Sequence, residues 1–380
     1  MHKLLTDKPG EKMLLLGNEA IARGAIEAGV AFTSTYPGTP SSELSLNFFQ
    51  MSRESDLYFE YSTNEKVAME VSAAAANAGV RSMCVMKHVG LNVAADALMT
   101  LAYVGVKGGM VVLTADDPFM FSSQNEQDNR YYAKLSGLPM LEPSSVQEAK
   151  EMVATAFDLS EKLKEPVLFR TTTRINHSSG IVALGKIRKR ITKGDFIKDP
   201  LNLVTVPAVS RKLHVKLLKN YDSAMQLAES SPYNFVEGDG GWGIVCNGVG
   251  YNYVSDAVEE LQIEERVRVL RAAGVTVVAS EERRTEAGLE ELAVVEHQAV
   301  RGEGEELHHL RRAEREVGGE SHAHVDLDHV ADPAVTSVPL GLPLQSLRAR
   351  HRLPQLFLSL PDLLLHTLEA LAQLELDAPV

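Results

Sequence analysis

The sequence predicts an α/β fold: a parallel sheet flanked by helices. Three observations carry that prediction. From Met13 to about Thr173, short β-rich runs alternate with helix-period stretches of about 10–15 residues, the spacing of βαβ units. The strand Met110–Thr114 carries the unbroken apolar run Met110–Leu113, as a strand covered on both faces does. The polar, glycine-bearing stretches fall where strands give way to helices, which is where such sheets bind ligands.

Each element has a local reason. Asn18 to Ala28 carries Ile21, Ala25 and Ala28 near a 3.6 spacing and ends at Gly29, a helix with a glycine stop. Val30 to Tyr36 reads as a strand that stops at Pro37-Gly38-Thr39-Pro40. A helix follows, capped by Ser41 or Ser42, with Leu44, Leu46 and Phe48 near its start. Leu57–Tyr61 is a short strand. Asn64 to Ala78, rich in Ala, Val and Met, is a buried helix closed by Gly79. Arg81–Lys87 is a strand; His88-Val89-Gly90 turns into an apolar helix over Leu91–Tyr103. After Met110–Thr114 comes a polar loop from Asp116 to Asn129, then a helix from about Ser145 to Leu163 and a strand Val167–Thr171. Four loops therefore meet at the carboxyl ends of the strands: Tyr36–Ser42, Ser62–Glu65, Lys87–Asn92 and Asp116–Arg130. That pattern gives a place for a site but no reaction.

Arg174 to about Pro207 is basic and broken, which reads as a linker wrapping the first domain or simply as a solvated charge run. A helical patch follows over Ser223–Ser230. Gly243-Ile244-Val245-Cys246-Asn247-Gly248 is a strand ending in glycine, with a helix from about Val254 to Leu261 and a further strand at Val267–Arg271. A second α/β unit begins there.

Composition bounds the rest. Of 380 residues, 44% are hydrophobic and 23% charged, so the chain is an ordinary globular one of two or three domains. Two cysteines, Cys84 and Cys246, cannot form a disulfide framework or hold an iron–sulfur cluster by themselves. A net charge of −13 argues against a general nucleic-acid binder. With no apolar run of membrane length and no signal-peptide pattern, the expectation is a cytoplasmic protein without a membrane partner. The averages conceal a seam. After Lys219 there is no lysine, and after Ile263 no isoleucine, asparagine, tyrosine, methionine, cysteine or tryptophan. Residues 264–380 carry 12 Arg against 21 acidic residues, a net of −9, whereas residues 1–263 carry 26 basic and 30 acidic residues, a net of −4.

Four motifs, taken together, identify a family. They are Tyr36-Pro37-Gly38-Thr39-Pro40-Ser41-Ser42-Glu43, Asn64-Glu65-Lys66-Val67-Ala68, the stretch Met86-Lys87-His88-Val89-Gly90-Leu91-Asn92-Val93-Ala94-Ala95-Asp96, and Ser122-Ser123-Gln124-Asn125-Glu126-Gln127-Asp128-Asn129-Arg130-Tyr131-Tyr132. In order and spacing, residues 13–262 resemble the alpha subunit of indolepyruvate:ferredoxin oxidoreductase. The resemblance implies a thiamine-diphosphate enzyme of the 2-oxoacid:ferredoxin oxidoreductase group. It also implies a pyrimidine-binding domain over residues 13–173, a linker over 174–240 and the start of a transketolase-C-terminal-like domain over 241–271. Residues 272–380 are an unrecognised Arg/Leu/Glu-rich tail. A shifted reading frame near residues 262–275 explains its changed alphabet; the alternative is a divergent helical tail, with an apolar helix over Leu356–Leu376.

The resemblance also implies site residues. Glu65 falls where the group places the carboxylate that contacts the pyrimidine ring nitrogen. Such a contact favours the imino tautomer, whose exocyclic nitrogen takes the proton of the thiazolium carbon. By its sequence position alone, Glu65 reads first as a first-turn acid favouring the helix dipole; the flanking motifs reverse that preference. Thr39, with Gly38, resembles the loop beside cofactor and substrate carboxylate; as a plain loop residue Thr39 would cap the next helix. Lys87 and His88 are expected to meet the anionic 2-oxoacid. Arg130 either clamps a carboxylate or pairs with Asp117 or Asp128. One position departs from the family: Phe121 stands where a histidine is expected, an aromatic able to pack against an aryl substrate. Gly238-Asp239-Gly240 mimics the start of a metal–diphosphate motif, but no asparagine follows Asn252, so Asp239 is read as a turn residue. The site for Mg²⁺ and diphosphate, and the cluster-binding domain of full-length members, are expected outside this chain, and no metal ligands are assigned within it.

The implied function is oxidative decarboxylation of aryl 2-oxoacids such as indolepyruvate to the aryl-acetyl-CoA, with coenzyme A, ferredoxin and a beta subunit as partners. A related 2-oxoacid oxidoreductase is one alternative. A non-catalytic assembly module is the other, because a chain without the diphosphate-binding and cluster domains is expected to be inactive alone.

Overall fold

In the computed structural model of the chain, residues 2–273 and the backbone of the strand 291–295 are described. The rest of the tail, including the apolar helix expected over Leu356–Leu376, lies outside the described residues.

The chain opens with β1 (Lys12–Leu16), α1 (Gly17–Glu27), β2 (Phe32–Thr35), α2 (Ser42–Ser52), β3 (Tyr58–Tyr61), α3 (Glu65–Asn77), β4 (Ser82–Lys87), α4 (His88–Val104) and β5 (Met110–Asp116). It continues through α5 (Arg130–Ser136), β6 (Met140–Leu141), α6 (Val146–Leu163), β7 (Val167–Thr172), α7 (Thr173–His177) and β8 (Ser179–Ala183). A parallel six-stranded sheet is built in the order β3-β2-β4-β5-β7-β6.

Alternation along the strands divides the core into two layers. Met83 and Val85 of β4, Val111 and Leu113 of β5 and Phe169 of β7 pack with Ile21, Leu44, Phe48 and Phe157 from α1, α2 and α6. Cys84, Met86, Met110, Val112 and Leu168 face the other way, against Ala68, Met69, Leu91 and Leu98 from α3 and α4. Both faces are covered, which is why the strands read as continuous apolar runs rather than alternating ones.

Two local expectations change. The stretch Lys87–Asn92 is not a loop: α4 begins at His88, directly after β4. The reason is burial, since His88, Gly90 and Leu91 are already inside and continue the helix's apolar stripe. The long loop after β5 ends in a helix, α5, and a two-residue edge strand, β6, too short to show a periodic signal. Near the N-terminus, β1 leaves the main sheet and pairs antiparallel with β8.

Beyond β8 lie α8 (Pro200–Leu203), α9 (Pro207–Glu229), β9 (Asn234–Glu237), β10 (Trp242–Cys246), α10 (Gly250–Leu261), β11 (Val267–Ala272) and β12 (Glu291–Val295). The helical patch expected at Ser223–Ser230 is the end of α9, which runs for 23 residues and sets Leu217 into the α3/α4 core layer. The second sheet has the order β12-β10-β11-β9, with β10 parallel to β11 and β12, and β9 antiparallel to β11. Asp239 sits in the turn before β10, its carbonyl accepting from Arg268. No helix among the described residues is long and apolar enough to cross a membrane.

Candidate functional site

Strand order locates the site. From β2 the chain moves outward to β3, then crosses back past β2 to β4, so the connections after β2 and β4 leave in opposite directions. A crevice opens at the carboxyl ends of these two strands, the topological switch point of the sheet. The loop after β2 and the start of α4 meet there. A Cβ on Gly38 would stand 2.7 Å from Cδ and 2.9 Å from Cγ of Lys87, so a larger residue there would push the lysine stem aside. The Gly38 carbonyl accepts from the backbone N–H and hydroxyl of Ser41, and the Pro40 carbonyl accepts from Asn18 at 2.8 Å. Ser41 is the N-cap of α2 but makes no side-chain cap bond. Among the described residues the Thr39 hydroxyl takes no partner, so its expected alternative as a helix cap is not the role it has.

Glu65 is the first residue of α3, whose true side-chain cap is Asn64 accepting from Val67 N–H at 2.9 Å. The residue is 8% exposed. It reaches the first turn of α4, where a Cβ on Gly90 would lie 2.6 Å from both Cγ and Oε1 of Glu65. Cys84 on β4 feels the same group: burial raises its thiol pKa, a hydrogen bond with Ser34 opposes that, and the Glu65 charge raises it further. Among the described residues the Glu65 carboxylate has no hydrogen-bond donor and no cation. Its oxygens are not sealed from solvent, so the carboxylate stands as an acceptor open to a donor that enters the crevice.

The third wall is the loop after β5. Lys87 reaches it with Nζ 3.3 Å from the Ser122 carbonyl. His88 is wholly buried, and its Nε2 lies 2.9 Å from the Asn125 carbonyl, which makes Nε2 the protonated nitrogen. Its Nδ1 is buried without a partner. Asn129 ties the loop to the same helix start, donating to the His88 carbonyl at 3.2 Å and to Thr114. Asp117 organises the near end by accepting from Ser122 N–H, the Ser123 hydroxyl and the Thr173 hydroxyl. Burial pushes its carboxyl up, but those three donors and the nearby His88 outweigh burial and hold it below the usual range.

Arg130 takes the pairing alternative, with Asp128 and not Asp117. Nε donates to both Asp128 oxygens at 2.8 and 2.9 Å, and Nη1 donates to Asn247 at 3.1 Å, so the guanidinium links the two sheets. Behind it, Arg170 donates to Asp116 at 2.7 Å and to Glu142, and lies 3.7 Å from Asp128. Burial pushes the Asp128 carboxyl up, yet the Arg170 charge and the Arg130 hydrogen bonds bring it down to about 2. Glu142 in turn packs against Gly248, where a Cβ would come within 2.3 Å of its carboxylate.

Comparison with known proteins matches this architecture. Residues 23–229, more than half the chain, fit the family model described as pyruvate flavodoxin/ferredoxin oxidoreductase, thiamine diP-bdg. This chain belongs to that family. The chain is 52% identical over 267 residues to an indolepyruvate oxidoreductase subunit IorA from Methanothermobacter thermautotrophicus, covering 70% of this chain and 43% of the relative. It is 50% identical over 275 residues to the subunit of the same name from Thermococcus kodakarensis, covering 70% and 42%. It therefore spans less than half the length of these relatives. A fold likeness extends to 2-oxoglutarate:ferredoxin oxidoreductase from Magnetococcus marinus, solved with 2-oxoglutarate, coenzyme A and succinyl-CoA bound, at a TM-score of 0.63 and 18% identity. That likeness covers 79% of this chain and 60% of that one.

The residues of this thiamine-dependent oxidoreductase family member fit the pyrimidine end of thiamine diphosphate. A protonated ring nitrogen would be a donor to the unpaired Glu65 carboxylate, and Gly90 leaves that carboxylate room. Sequence reasoning placed Glu65, Gly38, Thr39, Lys87 and His88 around one crevice but missed Gly90, Asp117 and Arg170. Their signals were present: a glycine in the first turn of an apolar helix, and a charged residue inside the apolar strand Val167–Thr172.

Proposed function

We propose that the chain is the pyrimidine-binding part, residues 13–173 with the start of a following α/β domain, of an indolepyruvate:ferredoxin oxidoreductase alpha subunit. The whole enzyme oxidises aryl 2-oxoacids to aryl-acetyl-CoA, using coenzyme A and ferredoxin together with a beta subunit in the cytoplasm. The observation that carries this reading is the Glu65 carboxylate, unpaired among the described residues, at the switch point beside Gly90. The relatives named for indolepyruvate supply the substrate class.

When bound, thiamine diphosphate supplies an acidic carbon that becomes the nucleophile toward the keto group. The chain's own residues do the rest of the work assigned here. Glu65 accepts the ring-nitrogen hydrogen bond and holds that proton. Gly38 and Thr39 line the crevice, with the Thr39 hydroxyl free to donate toward the cofactor or the substrate carboxylate. Lys87 Nζ and the uncapped N-terminal N–H groups of α4 present positive charge to the 2-oxoacid. His88 and Arg130, expected to touch substrate, act one step back: His88 fastens the loop after β5, and Arg130 joins the first sheet to the second. Mg²⁺, the diphosphate and the iron–sulfur clusters are held by parts of the enzyme other than these residues.

The test is Glu65→Gln in the assembled enzyme. Amide for carboxylate keeps the shape but cannot hold the proton, so turnover should fall by several orders of magnitude with the complex intact. Near-full activity refutes the role. Side-by-side turnover of indolepyruvate, phenylpyruvate and pyruvate separates an aryl enzyme from a relative with another substrate. Failure of the chain with its complementing subunits to bind thiamine diphosphate with Mg²⁺ in calorimetry would favour an assembly module instead.

A further inference from the structure

We infer that the turn Phe119-Met120-Phe121 is the element that recognises the aryl group of the substrate; the inference rests on the aryl 2-oxoacid reading above.

Three large apolar side chains stand in a row in solvent there: Phe119 is 48% exposed, Met120 47% and Phe121 75%. Exposure of three consecutive hydrophobic residues is unfavourable for a free surface and needs a function or a cover. The backbone adds to the cost, because Phe119 (φ 64°) and Met120 (φ 44°) both lie in the left-handed region that non-glycine residues avoid. The surroundings hold that conformation. Asp117, just before the turn, grips Ser122 N–H and the Ser123 hydroxyl just after it, at 2.8 and 2.7 Å. Asp117 is anchored in turn by Thr173 at 2.9 Å. A carboxylate clamp across five residues thus forces the aromatic tip outward.

The tip stands beside the candidate site. The carbonyl of Ser122, the residue after Phe121, lies 3.3 Å from Lys87 Nζ, the cation assigned to the 2-oxoacid's charge. A 2-oxoacid held at Lys87 therefore lies next to the residue that follows Phe121. The two rings lie 5.4 Å apart at 51°, too close for an aryl group to fit between them, since that needs roughly twice the ~3.5 Å stacking contact. They therefore form one tilted wall against which a planar aryl group stacks by face and edge. A small substituent such as a methyl would leave most of that wall untouched.

The experiment compares Phe121→Ala, Phe119→Ala and Phe121→Tyr in the assembled enzyme, with phenylpyruvate, indolepyruvate and pyruvate as substrates. Each alanine variant should lower kcat/KM for the aryl acids about tenfold or more while pyruvate stays within about twofold. Phe121→Tyr should keep the aryl preference. Because the rings are exposed, melting temperatures should stay unchanged. An unaltered enzyme that prefers aryl acids, with alanine variants that keep that preference, overturns this inference alone. Equal losses on all three substrates, with weakened subunit assembly, would mark the turn as a protein contact and also overturn it. An unaltered enzyme with no aryl preference overturns the substrate reading, and the turn's assignment with it.

Discussion

Gly90→Ala isolates the geometry of Glu65 from its chemistry. A methyl at this position would stand 2.6 Å from Cγ and Oε1 of Glu65, whereas ordinary contact begins at 3.4 Å. The carboxylate would have to retreat by 0.8 Å, the difference between those distances. Misplacing a catalytic group by about 1 Å can cost about 10²-fold in rate. Stability should move the other way or not at all. The clash is with the end of a flexible side chain rather than with backbone, and Ala is favoured over Gly within a helix by roughly 0.5–1 kcal/mol. The expected variant therefore melts at or slightly above the unaltered protein, yet turns over its 2-oxoacid about a hundredfold more slowly. The assay is ferredoxin or viologen reduction by the assembled enzyme at saturating thiamine diphosphate, paired with a thermal melt. Turnover within twofold of the unaltered enzyme would refute the placement of Glu65 against the cofactor. A large drop in melting temperature would refute the packing argument.

Other perturbations test the surrounding framework. Glu165, buried and bonded to Asn220 at 2.6 Å, is pushed up to about 7 by burial, against the opposing Asn220 bond and Lys216 charge. Near pH 6 it holds a proton when folded and releases it on unfolding, so stability should fall as pH rises from 4.5 to 7, by about 3 kcal/mol in total. Glu165→Gln should remove that slope from a series of denaturant melts; an unchanged slope assigns the dependence elsewhere. Arg170→Met leaves Asp116 and Glu142 buried without their cation and should cost about 3–5 kcal/mol, read as a loss of melting temperature. Cys84 and Cys246 are buried with thiols raised by burial, so neither should react with iodoacetamide until the protein unfolds. Fast labelling of the native protein would contradict that packing.

The sheet and its helices were legible because burial on both faces imposes a pattern on consecutive residues. Met110–Leu113 had to be apolar throughout, and α3 and α6 had to repeat at helical spacing; Gly79 had to follow α3. The approximate place of the site was legible for the same reason, since loops at strand ends are fixed by the order of elements. The four motifs then assigned Glu65 its role by resemblance, where position alone left it a helix-dipole acid.

Other features had no local signature. His88 reads as a loop residue until its complete burial shows that the helix already includes it. Arg130 reads equally as a substrate clamp or an ion-pair partner; only the convergence of Asp128 and Asn247, the latter 117 positions away, decides for the network. Gly90 looks like any helix glycine until the Glu65 side chain is found against it. The sequence by itself thus determined the layered fold, the edge of the sheet where chemistry belongs and the residue types available there. The tertiary structure decided which of those side chains are already satisfied and which are left wanting a partner. Periodicity is a property of neighbours along the chain, whereas the pairing of buried charges and the room beside a carboxylate depend on residues that meet only once the sheet has formed.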